Sequence, residues 1–218
     1  MLVIPTIIYE KSHWQEGRNR LAGLDEVGRG ALCTGVVAAA VILPQDEAKL
    51  ANLAEVRDSK TLSSKARERL NVLIRETALA VGIGAASPTE IDRYNIRVAT
   101  SIAMQRALNQ AGAYDHLLVD GRPVKELGLE KQTAIIRGDS VCLSIACASV
   151  VAKVCRDELM RKLAKRYPGY GWEHNVGYGT AEHLASLLEL GPTPHHRRSF
   201  APVKALIRKQ ISPENPET

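Results

Sequence analysis

Two apolar runs, Arg20–Val27 (RLAGLDEV) and Val36–Leu43 (VVAAAVIL), are separated only by the glycine-containing stretch Gly28–Gly35. Each is strand-sized, and strands this close in the chain are expected to pair as a hairpin. The first run carries two adjacent carboxylates, Asp25 and Glu26. Buried charge has to be paired or bound to a metal, and neighbours on a regular strand point to opposite faces. The pair alone reads either as an exposed glutamate beside a hydrogen-bonded aspartate or as one edge of a ligand site. Gly28-Arg29-Gly30 favours the second reading. Its glycines let backbone amides come close to a ligand, and its arginine adds phosphate-directed charge.

The remaining pattern is that of a mixed sheet covered by helices. Leu62, Ala66, Leu70, Leu73 and Ile74 recur at helical spacing. Leu79–Ala86 is a third strand candidate, weakened by two glycines. Ser87-Pro88-Thr89-Glu90 has the capping-box form, and Ile91, Tyr94, Val98 and Ile102 follow as one apolar stripe ending near Gly112. His116–Asp120 and Thr133–Arg137 are the fourth and fifth strands. Ser144–Arg166 reads as a long helix with Ala148, Ala152, Cys155, Leu159 and Leu163 on its core face, broken by Tyr167-Pro168-Gly169-Tyr170-Gly171. Short helices are expected at Ala181–Glu189 and Pro202–Gln210, and a disordered tail after them. The expected organisation is an N-terminal arm (1–20), an α/β domain (21–166), a C-terminal helical extension (167–211) and a tail (212–218).

Composition narrows the function. Only six Tyr, two Trp and one Phe are present, so the core is aliphatic and base recognition by an aromatic-studded sheet is not expected. A net charge of +5 suits a polyanion-binding enzyme without proving one. No apolar run reaches the roughly 18 residues of a membrane helix, and the N-terminus lacks the order of a secretory signal. Cys33, Cys142, Cys147 and Cys155 have no zinc-like spacing and read as reduced packing thiols, which places the protein in the cytoplasm. No coiled-coil heptad is found, and a monomer is expected.

Asp120 ends an apolar strand and is followed by Gly121; Asp139 precedes the long helix in Arg137-Gly138-Asp139. Each alone is equally a turn or helix-start acid. Together with Asp25 and Glu26 they form a hard oxygen donor set suited to Mg²⁺ or Mn²⁺. Two such ions about 3.5–4 Å apart hydrolyse phosphodiesters. No partnered side-chain nucleophile is apparent: Ser149 and the cysteines lack a base in sequence.

Seven ordered blocks carry a resemblance: AGLDEVGRG (22–30), DSKTLS (58–63), YNIRVATSIAMQRAL (94–108), LLVDG (117–121), GDSVCLSIACASVVAKVCRDELM (138–160), NVGYGT (175–180) and HRRSF (196–200). The chain resembles the bacterial-type ribonuclease HII family. The resemblance implies a ribonuclease H-like mixed five-stranded sheet flanked by helices, with a C-terminal helical extension. It also implies an endonuclease that hydrolyses the RNA strand of RNA/DNA hybrids and cuts duplex DNA on the 5′ side of embedded ribonucleotides, leaving 3′-hydroxyl and 5′-phosphate ends. Such an enzyme serves ribonucleotide removal, replication and repair.

The same resemblance matches Asp25, Glu26, Asp120 and Asp139 to catalytic, metal-binding carboxylates holding two Mn²⁺ or Mg²⁺ ions, with Asp157 a fallback for the fourth. It matches Gly28, Arg29 and Gly30 to a loop on the sugar–phosphate backbone and Tyr178 to a ring stacked on the sugar past the ribonucleotide. Lys60, Lys153 and Arg156 match positions that hold substrate phosphates; His196 and Arg197 either approach nucleic acid or form a charged turn. Tyr178 as a core ring and Asp157 as an ion-pair partner of Lys153 or Arg161 are the alternatives. The chain departs from the family pattern after Gly30, where Ala31, Cys33, Thr34 and Gly35 replace Pro and Ala-Gly-Pro. The rival functions are another two-metal nuclease of the same architecture, of junction-resolving or integrase type, and a non-catalytic hybrid-binding protein.

Overall fold

The expected hairpin forms. In the computed structural model, which describes residues 4–211, β1 (Leu21–Val27) pairs antiparallel with β2 (Val36–Ile42) from Ala22↔Ile42 to Val27↔Val37. β3 (Ala80–Ala86), β4 (His116–Asp120) and β5 (Gln132–Ile135) complete a five-stranded sheet of order β3-β2-β1-β4-β5. β4 runs parallel to both β1 and β5. Every residue of β2 is buried, as befits a strand built only of Val, Ala and Ile. The two glycines of β3 mark a close helix rather than a weak strand. A Cβ on Gly82 or Gly84 would overlap the carbonyl oxygens of Ala107 and Ala103.

The helices are α1 (Ile8–Gln15), α2 (Glu47–Leu50), α3 (Ser64–Thr77), α4 (Pro88–Ala111), α5 (Gly138–Val141), α6 (Leu143–Arg166), α7 (Trp172–Asn175), α8 (Ala181–Leu190) and α9 (Ala201–Ile211). α1 lies within the expected N-terminal arm. Its fully buried Glu10 accepts hydrogen bonds from the Ser144 amide (2.8 Å) and the Cys142 thiol (3.1 Å) at the start of α6. The capping box of α4 forms as read. Ser87 N–H donates to Glu90 Oε2 at 2.8 Å, and Glu90 N–H to Ser87 Oγ at 3.2 Å.

Three expectations need correction. The stripe on α4 is not continuous: Asn95 has φ 67 and ψ 164, and its side chain caps a new helical start at Arg97 and Val98. Ile91 is buried, but Tyr94 is exposed. On α6 Ala148 and Ala152 are buried as expected, but beyond them the buried line runs one residue later, through Arg156, Met160 and Ala164, and Leu159 is exposed. β5 stops at Ile135, short of Arg137. Ile136 is exposed and Arg137 turns left-handed (φ 54), which brings Gly138 back to Asp120.

The chain forms two compact units. The first comprises residues up to Val27, Val37–Ala85 and Thr100–Arg156. It holds most of the sheet and a core of Val41, Leu43, Leu53, Leu70 and Ile74 against Ala148 and Val151 of α6. The second gathers Gly28–Val36, Ala86–Ala99 and the chain from Asp157 onward, so the loop after β1, the first part of α4 and the end of α6, all inside the expected 21–166 domain, group with the C-terminal segment. Its apolar centre is Cys33, Met160, Tyr170 and Trp172, with Leu32, Leu187 and Val203 beside it. The expected disordered tail at 212–218 lies outside the described residues. Among those residues, no helix is long and apolar enough to cross a membrane. None of the four cysteines is joined in a disulfide.

Candidate active site

Register gathers the acids of the first unit. Leu24 on β1 pairs with Val119 on parallel β4, so Asp25 and Asp120 are the next residues along adjacent strands. Asp120 is itself opposite Ile135 on β5. The turn after β5 delivers the Gly138 amide to Asp120 Oδ1 at 2.7 Å and starts α5 with Asp139. Asp25 and Asp139 are only 7% and 6% exposed, so neither is an ordinary surface acid.

Electrostatics show that the acids sense one another. Burial, then Glu26 and Asp120, push the Asp25 carboxyl well above the usual carboxylate range, against hydrogen bonds from Ser149 and the Glu26 amide. Burial and Asp139 raise Asp120, against the amides of Gly138 and Asp139. Lys60, on the loop before α3, extends to Asp139 with Nζ 3.4 Å from Oδ2. Burial pulls the Lys60 ammonium down, but the charges of Asp139, Asp58 and Asp25 outweigh it and hold its pKa above that of an ordinary lysine.

The donor set fits a hard divalent cation. Its oxygens are carboxylates, coupled by like charge, and partly desolvated, which is the condition a bound cation relieves. Among the described residues, no three acidic, His or Cys side chains are closed into a coordination shell. Asp25, Glu26, Asp120 and Asp139 are the residues that would hold such ions.

The sequence did not point to two hydroxyls behind Asp25. Ser149 on α6 bonds the Asp25 carboxylate, and Ser59 Oγ stands 3.0 Å from Ser149 Oγ, both serines being buried. The Ala-rich run around Ser149 was the available signal, since small residues let a helix approach a strand closely. Lys153 is half-buried on α6. Arg156 is fully buried, which departs from the expected phosphate-facing guanidinium; it belongs to the inward line of α6.

The second unit brings together Gly28, Arg29, Gly30 and Tyr178. Arg29 and Gly30 are exposed, and a Cβ on Gly30 would lie 3.8 Å from the Tyr178 ring. Tyr178 is 36% exposed and so not a core ring. Its carbonyl accepts the Nδ1–H of His183 at 2.9 Å. His183 Nε2 accepts the Trp172 indole N–H (3.0 Å) and faces His196 Nε2 at 3.2 Å, which must therefore donate. His196 Nδ1 then accepts the Thr193 amide at 2.9 Å. The network is satisfied only with both rings neutral. Burial lowers His183, and burial together with His183 lowers His196 to about 4. His196 and Arg197 are both buried, so neither is an exposed charged turn.

Comparison with known proteins gives the family and the fold. The sequence model of the family Ribonuclease HII matches residues 22–203. The ribonuclease HII of Synechococcus sp. (strain JA-3-3Ab) is 56% identical over 210 residues, 96% of this chain and 94% of that protein. That of Thermosynechococcus vestitus is 55% identical over 202 residues, 93% and 92% of the two chains. Among solved structures, ribonuclease H2 from Pyrococcus horikoshii superposes with a TM-score of 0.74 at 23% identity, covering 90% of this chain and all of that one. Bst-RNase HIII in complex with Mn²⁺ gives 0.68 at 19% identity, over 87% of this chain and 69% of that one. These two share the ribonuclease H fold with the sheet described above. By sequence over nearly its whole length, and with that fold, the chain belongs to the ribonuclease HII family and is an endoribonuclease with ribonuclease H activity on RNA/DNA hybrids.

Proposed function

We propose that the protein is a metal-dependent endonuclease that also cuts duplex DNA on the 5′ side of embedded ribonucleotides, leaving 3′-hydroxyl and 5′-phosphate ends, and so serves ribonucleotide removal in DNA repair. The observation that carries this reading is the coupling of Asp25, Glu26 and Asp120, at the ends of adjacent strands, with Asp139 at the start of α5. Two Mg²⁺ or Mn²⁺ ions held there would supply water activation and neutralisation of the leaving oxygen.

The chain's own residues do the rest. Asp120 is fixed by the Gly138 amide and Asp25 by Ser149, so their oxygens are presented in set directions. Lys60 and Lys153 offer cations to the phosphates. Water attacks the phosphorus, the bond to the preceding 3′-oxygen breaks, the water's proton passes to solvent, and the departing 3′-oxygen takes up a proton from solvent to become the 3′-hydroxyl. Discrimination rests on the 2′-hydroxyl, the group by which a protein tells RNA from DNA at one position. Gly28, Arg29 and Gly30 read it through backbone groups, indifferent to the base, and Tyr178 stacks on the neighbouring sugar. Arg156, with no exposed surface, has no part in this. The protein acts as a monomer, and its cysteines, none of them in a disulfide, suit the reducing cytoplasm.

The test is a labelled DNA duplex carrying one ribonucleotide, incubated with Mn²⁺ or with EDTA. Cutting 5′ to the ribonucleotide only with metal is expected. Equal cutting of an all-DNA duplex, or binding without cutting, would overturn the reading.

A further inference from the structure

Arg197 has no exposed surface, yet its guanidinium is spread over the loop that follows β1. Nη2 donates to the carbonyl of Gly28 at 2.6 Å and to that of Gly35 at 3.2 Å. Nη1 donates to the carbonyl of Arg29 at 2.7 Å, and Nε to that of Thr34 at 2.8 Å. Two of these carbonyls belong to the Gly28-Arg29-Gly30 segment and two to the turn that closes it. The main chain around Arg197 reinforces the grip: Thr34 N–H donates to His195 O (2.7 Å), Arg197 N–H to Leu32 O (2.8 Å), and Leu32 N–H to Gly177 O (2.8 Å).

We propose that Arg197 is a positioning residue that sets the Gly28–Gly30 loop in the form that meets a nucleic-acid backbone. This rests on the reading of that loop as substrate-binding.

The argument is one of peptide geometry. All peptide bonds here are trans, so each N–H points away from the carbonyl of its own peptide unit. Drawing the Gly28 and Arg29 carbonyls onto the buried guanidinium turns the Arg29 and Gly30 amides the other way. Both residues lie on the exposed side. Aimed outward, these amides can donate to the 2′-hydroxyl oxygen that marks a ribonucleotide, while the Arg29 cation beside them meets the phosphates that RNA and DNA share. The same grip holds Thr34, a β-branched residue at φ 61, a conformation that persists only when its surroundings over-determine it. Thr34 is one of the residues by which this chain departs from the family pattern, so the loop here lacks the glycine that would adopt this conformation at no cost. Lysine cannot replace the clamp: its ammonium is a point donor, while the planar guanidinium reaches several carbonyls at once.

The test compares wild type with R197K, which keeps the buried charge, and R197Q, which keeps two donors. Thermal melting first establishes that each is folded. Hydrogen exchange is then followed in peptides covering 28–36 and, as control, 37–43. Affinity for a duplex carrying one ribonucleotide and for the matching all-DNA duplex is measured in EDTA. Faster exchange confined to 28–36 is expected, with about a tenfold loss of ribonucleotide preference and all-DNA binding within about twofold of wild type, as for one or two lost charge-assisted hydrogen bonds. Unchanged exchange overturns the clamp. Faster exchange with the preference intact overturns the positioning role, as does an equal loss of both affinities. A wild-type protein without ribonucleotide preference overturns the reading of the loop instead, and the exchange comparison still decides whether Arg197 holds it.

Discussion

Asp25 and Asp120 stand side by side because β1 and β4 are parallel and pair Leu24 with Val119. Nearly one hundred residues separate the two acids in the chain. Asp120 raises the energy of the Asp25 charge and Asp139 that of the Asp120 charge, with burial the larger cause for both. The site is thus a place where the fold tolerates like charge at the expense of stability, and a cation has most to gain there.

Asp25→Asn should abolish cutting, by about a thousandfold or more, while the fold survives. The amide keeps the shape and still accepts the Glu26 amide, which now bonds Asp25 Oδ1 at 2.7 Å. Because the native carboxyl is raised above its unfolded value, its ionised form weakens the folded state near neutral pH. Neutralising it should leave the metal-free melting temperature unchanged or higher. Wild-type activity in this variant removes the central assignment, and a large drop in melting temperature contradicts the electrostatic account.

Divalent cation should stabilise wild type. At a free concentration about a hundred times the dissociation constant, the gain is about 2.7 kcal/mol, read as a rise in melting temperature with Mn²⁺ that EDTA reverses. Asp25→Asn and Asp120→Asn should lose most of it. Equal shifts in all three proteins would place the ion elsewhere.

Lys60→Met probes the cation that lies 3.4 Å from Asp139. If Lys60 serves a substrate phosphate, kcat/KM falls about tenfold and the logarithmic salt dependence of binding becomes shallower by about one unit. A salt slope equal to wild type would confine Lys60 to its partnership with Asp139.

The neutral histidines make stability sensitive to acid. His196 is lowered to about 4 by burial and then His183; His116 is lowered to about 4 by burial and then His13. A depressed histidine binds its proton in the unfolded chain first, so folding free energy is lost as pH falls from about 6.5 toward 4 and is unaffected above neutrality. For His196, which is 2% exposed, the loss at pH 5 is about 2 kcal/mol. Urea unfolding at pH 7.5 and 5 measures the change, and imidazole NMR titration identifies the ring. A His196 that titrates near 6.5 would refute the buried neutral network.

Much of this architecture was readable in one dimension. The strand at His116–Asp120 was placed to the residue because its apolar run is bounded by an acid and a glycine. The capping box placed the start of α4 because Ser87 and Glu90 interact over three residues, a local event. The kink at Asn95 was not, since the side chain that caps the second half is compatible with either outcome until the surroundings choose. The one-residue shift of the buried face on α6 exchanged an expected phosphate ligand, Arg156, for an internal arginine. Periodicity gives a helix's repeat, but its rotation about the axis is set by what packs on it.

By itself the sequence determined the hairpin, the five strands, the residue types able to hold a hard cation, and the family. Those properties depend on local spacing and on chemistry that each residue carries wherever it sits. Only the tertiary structure decided that Asp25 and Asp120 are neighbours, that Ser149 serves Asp25, and that Arg197 faces inward onto backbone carbonyls rather than outward. These are relations between residues up to about 170 positions apart, and they exist only once strand register and helix rotation have been fixed by packing.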